Sequence, residues 1–170
     1  MKKILLVALA LLVLTMSIAA AEGEIKIGQV QYAAHGTKCF AVMTVAMQGD
    51  VIADAYIDEF QFMSPEGVTP VPNSDTGLAS YVVEVSVLIS KRLNNETYSN
   101  NMATKAGATK TLLDGYQTIE AFVVGMSIAD LETLLNANDS ASMIDVVSGA
   151  TLVDTYGYLQ GILAAAKAAE

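Results

Sequence analysis

The sequence predicts an α+β domain in which a small antiparallel sheet packs with a few helices, the last of them C-terminal. Two observations indicate this class. Two runs rich in Val, Ile and Tyr, Cys39–Met47 and Val51–Phe60, flank Gln48-Gly49-Asp50, and a Gly-Asp pair between such runs is typical of a β-hairpin. Near the C-terminus, apolar residues recur at helical spacing. The chain shows no solenoid repeat and no low-complexity tract, so we expect a single domain.

Lys26–Ala34 predicts a strand ahead of the hairpin. Within Val51–Phe60 the residues alternate with a period of two, which puts carboxylates on one face and small apolar groups on the other. The first set is Ile52, Asp54, Tyr56 and Asp58, and the second set is Val51, Ala53, Ala55 and Ile57. We interpret Asp54, Asp58 and Glu59 as a solvated strand face rather than a cation site.

The middle of the chain is less regular. Met63–Ser80 holds all three prolines and predicts a loop. Tyr81–Ile89 is a β-branched apolar run, which predicts a strand by composition, with a buried helix as the alternative. Lys91–Lys110 is polar and rich in Asn, Thr and Ala, and we interpret it as helical pieces joined by loop.

Three helices are predicted after this region. Thr111–Phe122 would present Leu112, Leu113, Tyr116, Ile119 and Phe122. Ser127 would cap a helix over Ile128–Leu135 that has Asp130 and Glu132 in its first turn, with a loop over Asn136–Ser142. In the closing helix, Ser148 would be the N-cap and Gly149–Thr151 the first turn. Its apolar stripe is Leu152, Tyr156, Leu159, Leu163 and Ala166.

The N-terminus has the pattern of a targeting segment. A basic start, Met1-Lys2-Lys3, precedes the apolar run Ile4–Met16 and a tail of small residues, Ser17–Ala21. This order predicts a secretory signal peptide over residues 1–21, cleaved to leave an exported domain over residues 22–170. The alternative is a retained membrane anchor, although the uncharged stretch is near the lower limit of a span, which needs about 20 apolar residues.

Charge and cysteine content exclude several functions. Of nine basic residues two lie in the leader, so residues 22–170 keep seven against 18 acidic ones, a net charge of −11. Such a surface repels nucleic-acid phosphates and anionic lipid. Cys39 is the only cysteine, which excludes an intramolecular disulfide and a cysteine zinc cluster. We interpret it as a buried, inert thiol.

One short segment carries chemistry. The segment has the sequence Asp145-Val146-Val147-Ser148-Gly149-Ala150-Thr151. It fits a pattern that consists of an Asp, two variable positions, a Ser or Thr, a Gly, an Ala and a final Thr or Ser. With each residue type at ~6–7%, four fixed residues arise by chance at roughly 2 × 10⁻⁵ per position. The segment resembles the flavinylation motif of the FMN-binding domain family. That family includes the FMN-carrying subunits of the Rnf and sodium-pumping NADH:quinone oxidoreductase complexes and exported electron-transfer proteins.

The resemblance implies FMN joined through a phosphoester to Thr151, in an attachment loop that leads into the C-terminal helix. The resemblance assigns cofactor binding to Asp145, Ser148, Gly149, Ala150 and Thr151. It also implies a flavin transferase that uses FAD and magnesium, together with soluble or membrane-bound redox donor and acceptor proteins. The chain departs from many members at two positions, with Val146 in place of Gly and Val153 in place of a second hydroxyl residue.

The residues support this chemistry independently. A Thr hydroxyl is a poor nucleophile without a base or metal, so a separate enzyme is expected to make the bond. Gly149 and Ala150 are small enough to let another active site close over Thr151. As the third residue of the helix, Thr151 would hold its phosphate beside unpaired backbone N–H groups. The alternative interpretation of this segment is an ordinary N-cap turn.

Other residues are given weaker roles. A second Gly-Ala-Thr, within Ala106–Thr109, is interpreted as the start of a helix, and His35 as a loop residue. Among the tyrosines that could stack on a flavin ring, Tyr116, Tyr156 and Tyr158, the second lies on the apolar stripe and is expected in the core. The sequence contains no G-x-S-x-G, P-loop or G-x-G-x-x-G pattern, which leaves hydrolase and nucleotide-fold hypotheses without support.

The favoured hypothesis is an exported electron carrier rather than a turnover enzyme, in the periplasm, in the cell envelope or secreted. Covalent attachment suits this setting because a dissociating cofactor would be lost by dilution. Two alternatives remain open. One is a secreted or cell-surface binding domain of the same fold without covalent flavin, and the other is a reductase that binds FMN noncovalently.

Overall fold

The computed structural model describes residues 23–36, 38–74, 85–147 and 152–170. The predicted signal peptide, residues 75–84 of the predicted loop and strand, and Ser148, Gly149, Ala150 and Thr151 lie outside the described residues. Among the described residues, no helix combines the length and the apolar content needed to cross a bilayer.

Within the described ranges, four antiparallel strands form one sheet in the order β1-β2-β3-β4. They are β1 (Ile25–Tyr32), β2 (Cys39–Gln48), β3 (Val51–Met63) and β4 (Val87–Ser90). The hairpin prediction is confirmed, and Gly49 turns the chain at a positive φ of 58°, a conformation that glycine adopts without strain. With the helices described below, the sheet confirms the α+β class.

A β-bulge corrects the predicted alternation in β3. The register shifts between Ala46 and Met47 of β2, which face Asp54 and Ile52, so Ala53 is an extra residue in β3. Ile52 therefore joins Ala55 and Ile57 on the inner face instead of sharing a face with Asp54. The inner face of the sheet consists of buried Ala41, Met43, Val45, Met47, Ile52, Ala55 and Ile57.

The same parity overturns the interpretation of Glu59. It lies two residues after Ile57 and is fully buried on the inner face, rather than solvated. Asp54 is exposed as predicted, whereas Asp58 is half-buried and accepts a hydrogen bond from Ser90 Oγ at 2.7 Å. The three carboxylates therefore do not share one solvated face.

Five helices follow in the described ranges: α1 (Asn95–Ala106), α2 (Leu112–Val123), α3 (Ile128–Ala137), α4 (Ser140–Val146) and α5 (Thr155–Ala168). Ser127 caps α3 as predicted, in a capping box with Asp130. Glu132 lies beyond the first turn and forms an ion pair with Lys167. Helix α5 packs against β1 and β2, α2 packs against β3, and α3 and α4 pack against α5.

Two glycines allow α5 to approach the sheet closely. A Cβ built at Gly28 of β1 would lie 1.9 Å from the carbonyl oxygen of Ala165, and one built at Gly161 would lie 2.1 Å from Met43 Sδ. Close packing buries Tyr158, Leu159, Ile162, Ala165 and Ala166 of α5. Leu159 and Ala166 of the predicted stripe are in the core, while Tyr156 and Leu163 are half-buried.

The start of the closing helix differs from the prediction. Its first residue is Thr155 and its N-cap position is Asp154, so Ser148 is not its cap and Thr151 is not in its first turn. Leu152 is buried, and Thr155 N donates to its carbonyl oxygen at 3.0 Å, which makes a tight turn ahead of the helix. The prediction that Thr151 is the third residue of this helix is therefore wrong.

Two further predictions are corrected. Asn136–Ser142 was expected to be loop, yet α4 begins at Ser140 because Asp139 caps it through the backbone N–H groups of Ala141 and Ser142. Ala106–Thr109 does not start a helix. Gly107 ends α1 in the left-handed conformation, with φ of 67°, and the next helix is capped by Thr111.

Candidate functional site

A cavity of about 400 Å³ lies between α1, the start of α2 and the start of α5. Its wall includes the apolar side chains of Met102, Leu112 and Leu152. Polar groups of the wall come from the β1–β2 loop, the residue after β4, α1, the connection between α1 and α2, and α5 with its N-cap residue. They are His35, Lys91, Tyr98, Thr109, Asp154 and Tyr158.

A buried ion pair lies beside this cavity. Glu59 of β3 and Lys91, which directly follows β4, are 0% and 1% exposed, and the Lys91 ammonium donates to Glu59 Oε2. The pairing arises from the sheet, since Lys91 N also donates to the Glu59 carbonyl oxygen at 2.8 Å. Charged residues are almost never fully buried unless they are paired, so the two side chains depend on each other.

Two tyrosine hydroxyls also belong to the network. Tyr158 of α5 donates to Glu59 Oε2 at 3.0 Å, and Tyr116 of α2 donates to the same oxygen at 3.4 Å. The two rings meet edge to face, with centroids 5.3 Å apart. The Lys91 ammonium lies 4.6 Å from the centroid of the Tyr98 ring, within the range of a cation–π contact. Glu59 Oε1 is buried and has no hydrogen-bond partner among the described residues.

The ionisation states follow from this environment. Burial lowers the pKa of Lys91, but the charge of Glu59 and its hydrogen bond outweigh burial, so the pKa is raised overall. Burial, together with the charge of Glu59, raises the pKa of Tyr116, and burial with the neighbouring Tyr116 and Glu59 raises that of Tyr158. The network therefore contains an ammonium and two neutral hydroxyl donors.

The β1–β2 loop is tied to the start of α5. His35 Nδ1 contacts Asp154 Oδ2, and the Cys39 thiol donates to the His35 carbonyl oxygen. His35 is a loop residue, as predicted, but it also lines the cavity. Cys39 is half-buried rather than buried, and burial and the Glu59 charge raise the pKa of its thiol, so thiolate reactivity is disfavoured.

The predicted attachment residues are only partly within the described chain. Asp145 is exposed near the end of α4. Ser148, Gly149, Ala150 and Thr151 lie outside the described residues, but the residues on either side of them, Val147 and Leu152, are both buried. A Cβ built at Gly115 of α2 would lie 2.8 Å from the Leu152 side chain, so Leu152 is tightly packed there.

The tyrosines expected near a flavin separate into three environments. Tyr158 lines the cavity, while Tyr116 is fully buried behind it. Tyr156 is half-buried and donates to the Leu135 carbonyl oxygen at 3.3 Å, away from the cavity wall. Tyr98 lines the cavity and was not identified from the sequence.

Sequence reasoning also missed Glu59 and Lys91. A signal for Glu59 was available, because it shares the period-two parity of Ala55 and Ile57. Lys91 likewise shares the parity of Val87 and Ile89 in the preceding apolar run. The contact between them joins residues 32 positions apart, and no local pattern predicts it.

Comparisons of the chain with protein-family models, with curated proteins and with solved structures found no match in any of the three. The function is therefore inferred from the motif that ends at Thr151 and from the cavity.

Proposed function

We propose that this protein is an exported electron carrier that holds FMN covalently through a phosphoester at Thr151, with the flavin ring in the cavity. The observation that carries the proposal is the continuity between motif and cavity. Leu152, the residue bonded to Thr151, lines the cavity together with Val153 and Asp154. A group joined to Thr151 is therefore tethered beside a ligand-sized space.

The cavity residues suit a flavin ring. Ligand pockets span about 300–1,000 Å³ and combine apolar walls with a few polar groups, and this cavity of about 400 Å³ has that composition. Met102, Leu112 and Leu152 offer apolar surface, and Tyr98 and Tyr158 offer aromatic surface. Lys91 supplies a charged donor at the same wall.

The surroundings of the motif suit modification by a second protein. Buried Val147 and Leu152 anchor the chain on both sides of the four motif residues that end at Thr151. Asp145, the first motif residue, is exposed and so accessible to a transferase. In the proposed step a bond forms between Thr151 Oγ and the flavin-side phosphorus of FAD, the bond to AMP breaks, AMP leaves and the hydroxyl loses its proton.

FMN supplies one- or two-electron redox chemistry when bound, while a protein supplies attachment, orientation and electrostatics. In this chain Thr151 would provide the attachment. Tyr98, Tyr158 and the apolar side chains would orient the ring and exclude water. The dense acidic charge of the remaining surface would favour basic rather than acidic redox partners.

The test is co-expression of the chain with a flavin transferase, followed by intact-mass analysis and peptide mapping. We expect a mass increase of FMN minus water on the peptide that contains Thr151. Thr151→Ala should abolish the increase while the protein stays folded by circular dichroism. Thr109→Ala, in the second Gly-Ala-Thr that also lines the cavity, is the matched control and should be modified normally.

An unmodified chain beside a transferase that modifies a known substrate domain would contradict the proposal. Colourless protein in that experiment would favour a binding domain without flavin. Yellow protein that loses its colour on denaturation would favour noncovalent FMN binding.

A further inference from the structure

The two members of the buried ion pair relate differently to the cavity. Lys91 lines the cavity wall, together with the Tyr98 ring beneath its ammonium, whereas Glu59 lies behind them in the core. His35 and Asp154, which also line the wall, contact each other. Lys91 is therefore the member of the ion pair that lies at the ligand space.

The network also has unused hydrogen-bonding capacity. An ammonium has three donors, and among the described residues that of Lys91 donates to Glu59 Oε2 and lies over the Tyr98 ring. Glu59 Oε1 is buried without a partner in the described part of the chain. A ligand with acceptor groups at the cavity wall would use the remaining donors of the Lys91 ammonium.

A buried charge beside a cavity acts strongly on what the cavity holds. Water does not screen it, and the low local dielectric strengthens hydrogen bonds to an ionised donor. A ligand edge that carries carbonyl oxygens, and that becomes more negative on reduction, is stabilised by an ammonium more in its reduced form than in its oxidised form.

We propose that Lys91, held by Glu59 and Tyr98, binds the electron-rich pyrimidine edge of the flavin ring and shifts its redox equilibrium toward the reduced form. This inference rests on the proposed function, because that function makes a flavin the occupant of the cavity. Lys91 is assigned as the residue that sets the midpoint potential, and Glu59 as the residue that positions it.

The test uses riboflavin, which lacks the phosphate, so that its binding is noncovalent and needs no transferase. Glu59→Gln/Lys91→Met removes both charges and leaves no unpaired buried ion. Arg92→Met/Glu120→Gln is the matched control, since it removes a partly buried ion pair that does not line the cavity. Riboflavin affinity is measured by quenching of flavin fluorescence, midpoint potential by spectroelectrochemistry, and folding by circular dichroism.

We expect all three proteins to bind riboflavin. In the Glu59→Gln/Lys91→Met variant the preference for reduced over oxidised riboflavin should fall at least tenfold, which for two electrons lowers the midpoint potential by about 30 mV. The control variant should match the wild type. Glu59→Gln alone should let Lys91 lose its proton at a lower pH, so the midpoint potential of this variant should fall below that of the wild type as the pH is raised.

The two proposals fail separately. Equal potentials in the wild type and the Glu59→Gln/Lys91→Met variant would overturn the role of Lys91 even if Thr151 carries FMN. A Glu59→Gln variant whose potential follows that of the wild type at every pH, or a wild type that binds no riboflavin, would overturn it as well. A chain whose Thr151 is never modified, but whose riboflavin potential shifts as expected, would retain the role of Lys91 and refute the covalent attachment.

Discussion

The Tyr158 hydroxyl of α5 donates to Glu59 Oε2 of β3 at 3.0 Å, which joins the closing helix to the sheet inside the core. The same carboxylate oxygen accepts from Lys91 and from Tyr116 of α2. One buried side chain thus connects β3, α2, α5 and the residue after β4. The stability of the core and the chemistry of the cavity wall depend on the same group.

Tyr158→Phe should lower the free energy of unfolding by about 1–2 kcal/mol, because it removes a hydrogen bond to a charged group while Lys91 still donates to that oxygen. Urea denaturation measures the change. Tyr156→Phe, in the same helix α5, is the control. It removes a weaker hydrogen bond, from Tyr156 to the Leu135 carbonyl oxygen of α3, and should cost less than about 1 kcal/mol. Equal losses in the two variants would contradict a special role for Glu59.

Lys91→Met should lower the free energy of unfolding by about 3–5 kcal/mol, since it leaves the Glu59 carboxylate buried without a counter-charge. Glu59→Gln/Lys91→Met should lose at least about 2 kcal/mol less than the sum of the single losses. A double-mutant cycle by denaturant unfolding measures this coupling. Additivity of the two single losses within about 0.5 kcal/mol would show that the residues do not interact.

Alkaline pH should destabilise the protein through the network. The pKa values of Lys91, Tyr116 and Tyr158 are raised above their ordinary values of 10.5, 10.0 and 10.0. A raised pKa means that the folded state keeps these protons to a higher pH than the unfolded state does. The stability that they contribute is therefore complete below pH 10 and is lost as the pH rises. Urea unfolding at a series of pH values above 10 should show a flatter decline of the free energy of unfolding for Tyr116→Phe/Tyr158→Phe than for the wild type. Identical slopes for this variant and the wild type would disprove the assignment.

Gly28→Ala should cost about 3 kcal/mol or more, at the upper end of overpacking effects. The new Cβ would meet the backbone of α5, at 1.9 Å from Ala165 O and 2.7 Å from Ala169 N, and a backbone cannot rotate away as a side chain does. Thermal unfolding measures the loss. Gln31→Ala, at an exposed position of β1, should stay within about 0.5 kcal/mol of the wild type. A stable Gly28→Ala protein would mean that α5 shifts along the sheet.

Asp145→Asn should lower the yield of covalent flavin several-fold without changing the melting temperature, because Asp145 is exposed and surface substitutions change stability little. The yield is measured by intact mass after co-expression with the transferase. Asp50→Asn, in the exposed β2–β3 turn, is the control and should be flavinylated fully. Equal yields for the two variants would exclude Asp145 from recognition by the transferase.

Local patterns predicted the elements whose signals are local. The β2–β3 hairpin follows from two β-branched runs around Gly49, and the start of α3 follows from the Ser127 capping box. The start of α5 could not be predicted in this way. Ser148 resembles a cap in the sequence, but α5 begins at Thr155, and Leu152 ahead of it packs against Gly115 of α2. A contact between segments that are distant in the sequence, such as that of Leu152 with Gly115, is not encoded in a local pattern.

The sequence alone determined the α+β class, the hairpin and the motif that ends at Thr151, because periodicity, turn residues and a short pattern are properties of neighbouring residues. Only the tertiary structure decided that Glu59 is buried, that Lys91 pairs with it and that the two tyrosine hydroxyls converge on one oxygen. The β-bulge at Ala53 and the crossing of α5 over the sheet set these positions. Burial of a charge depends on the partners that reach it in space, and those partners lie 32 to 99 residues away along the chain.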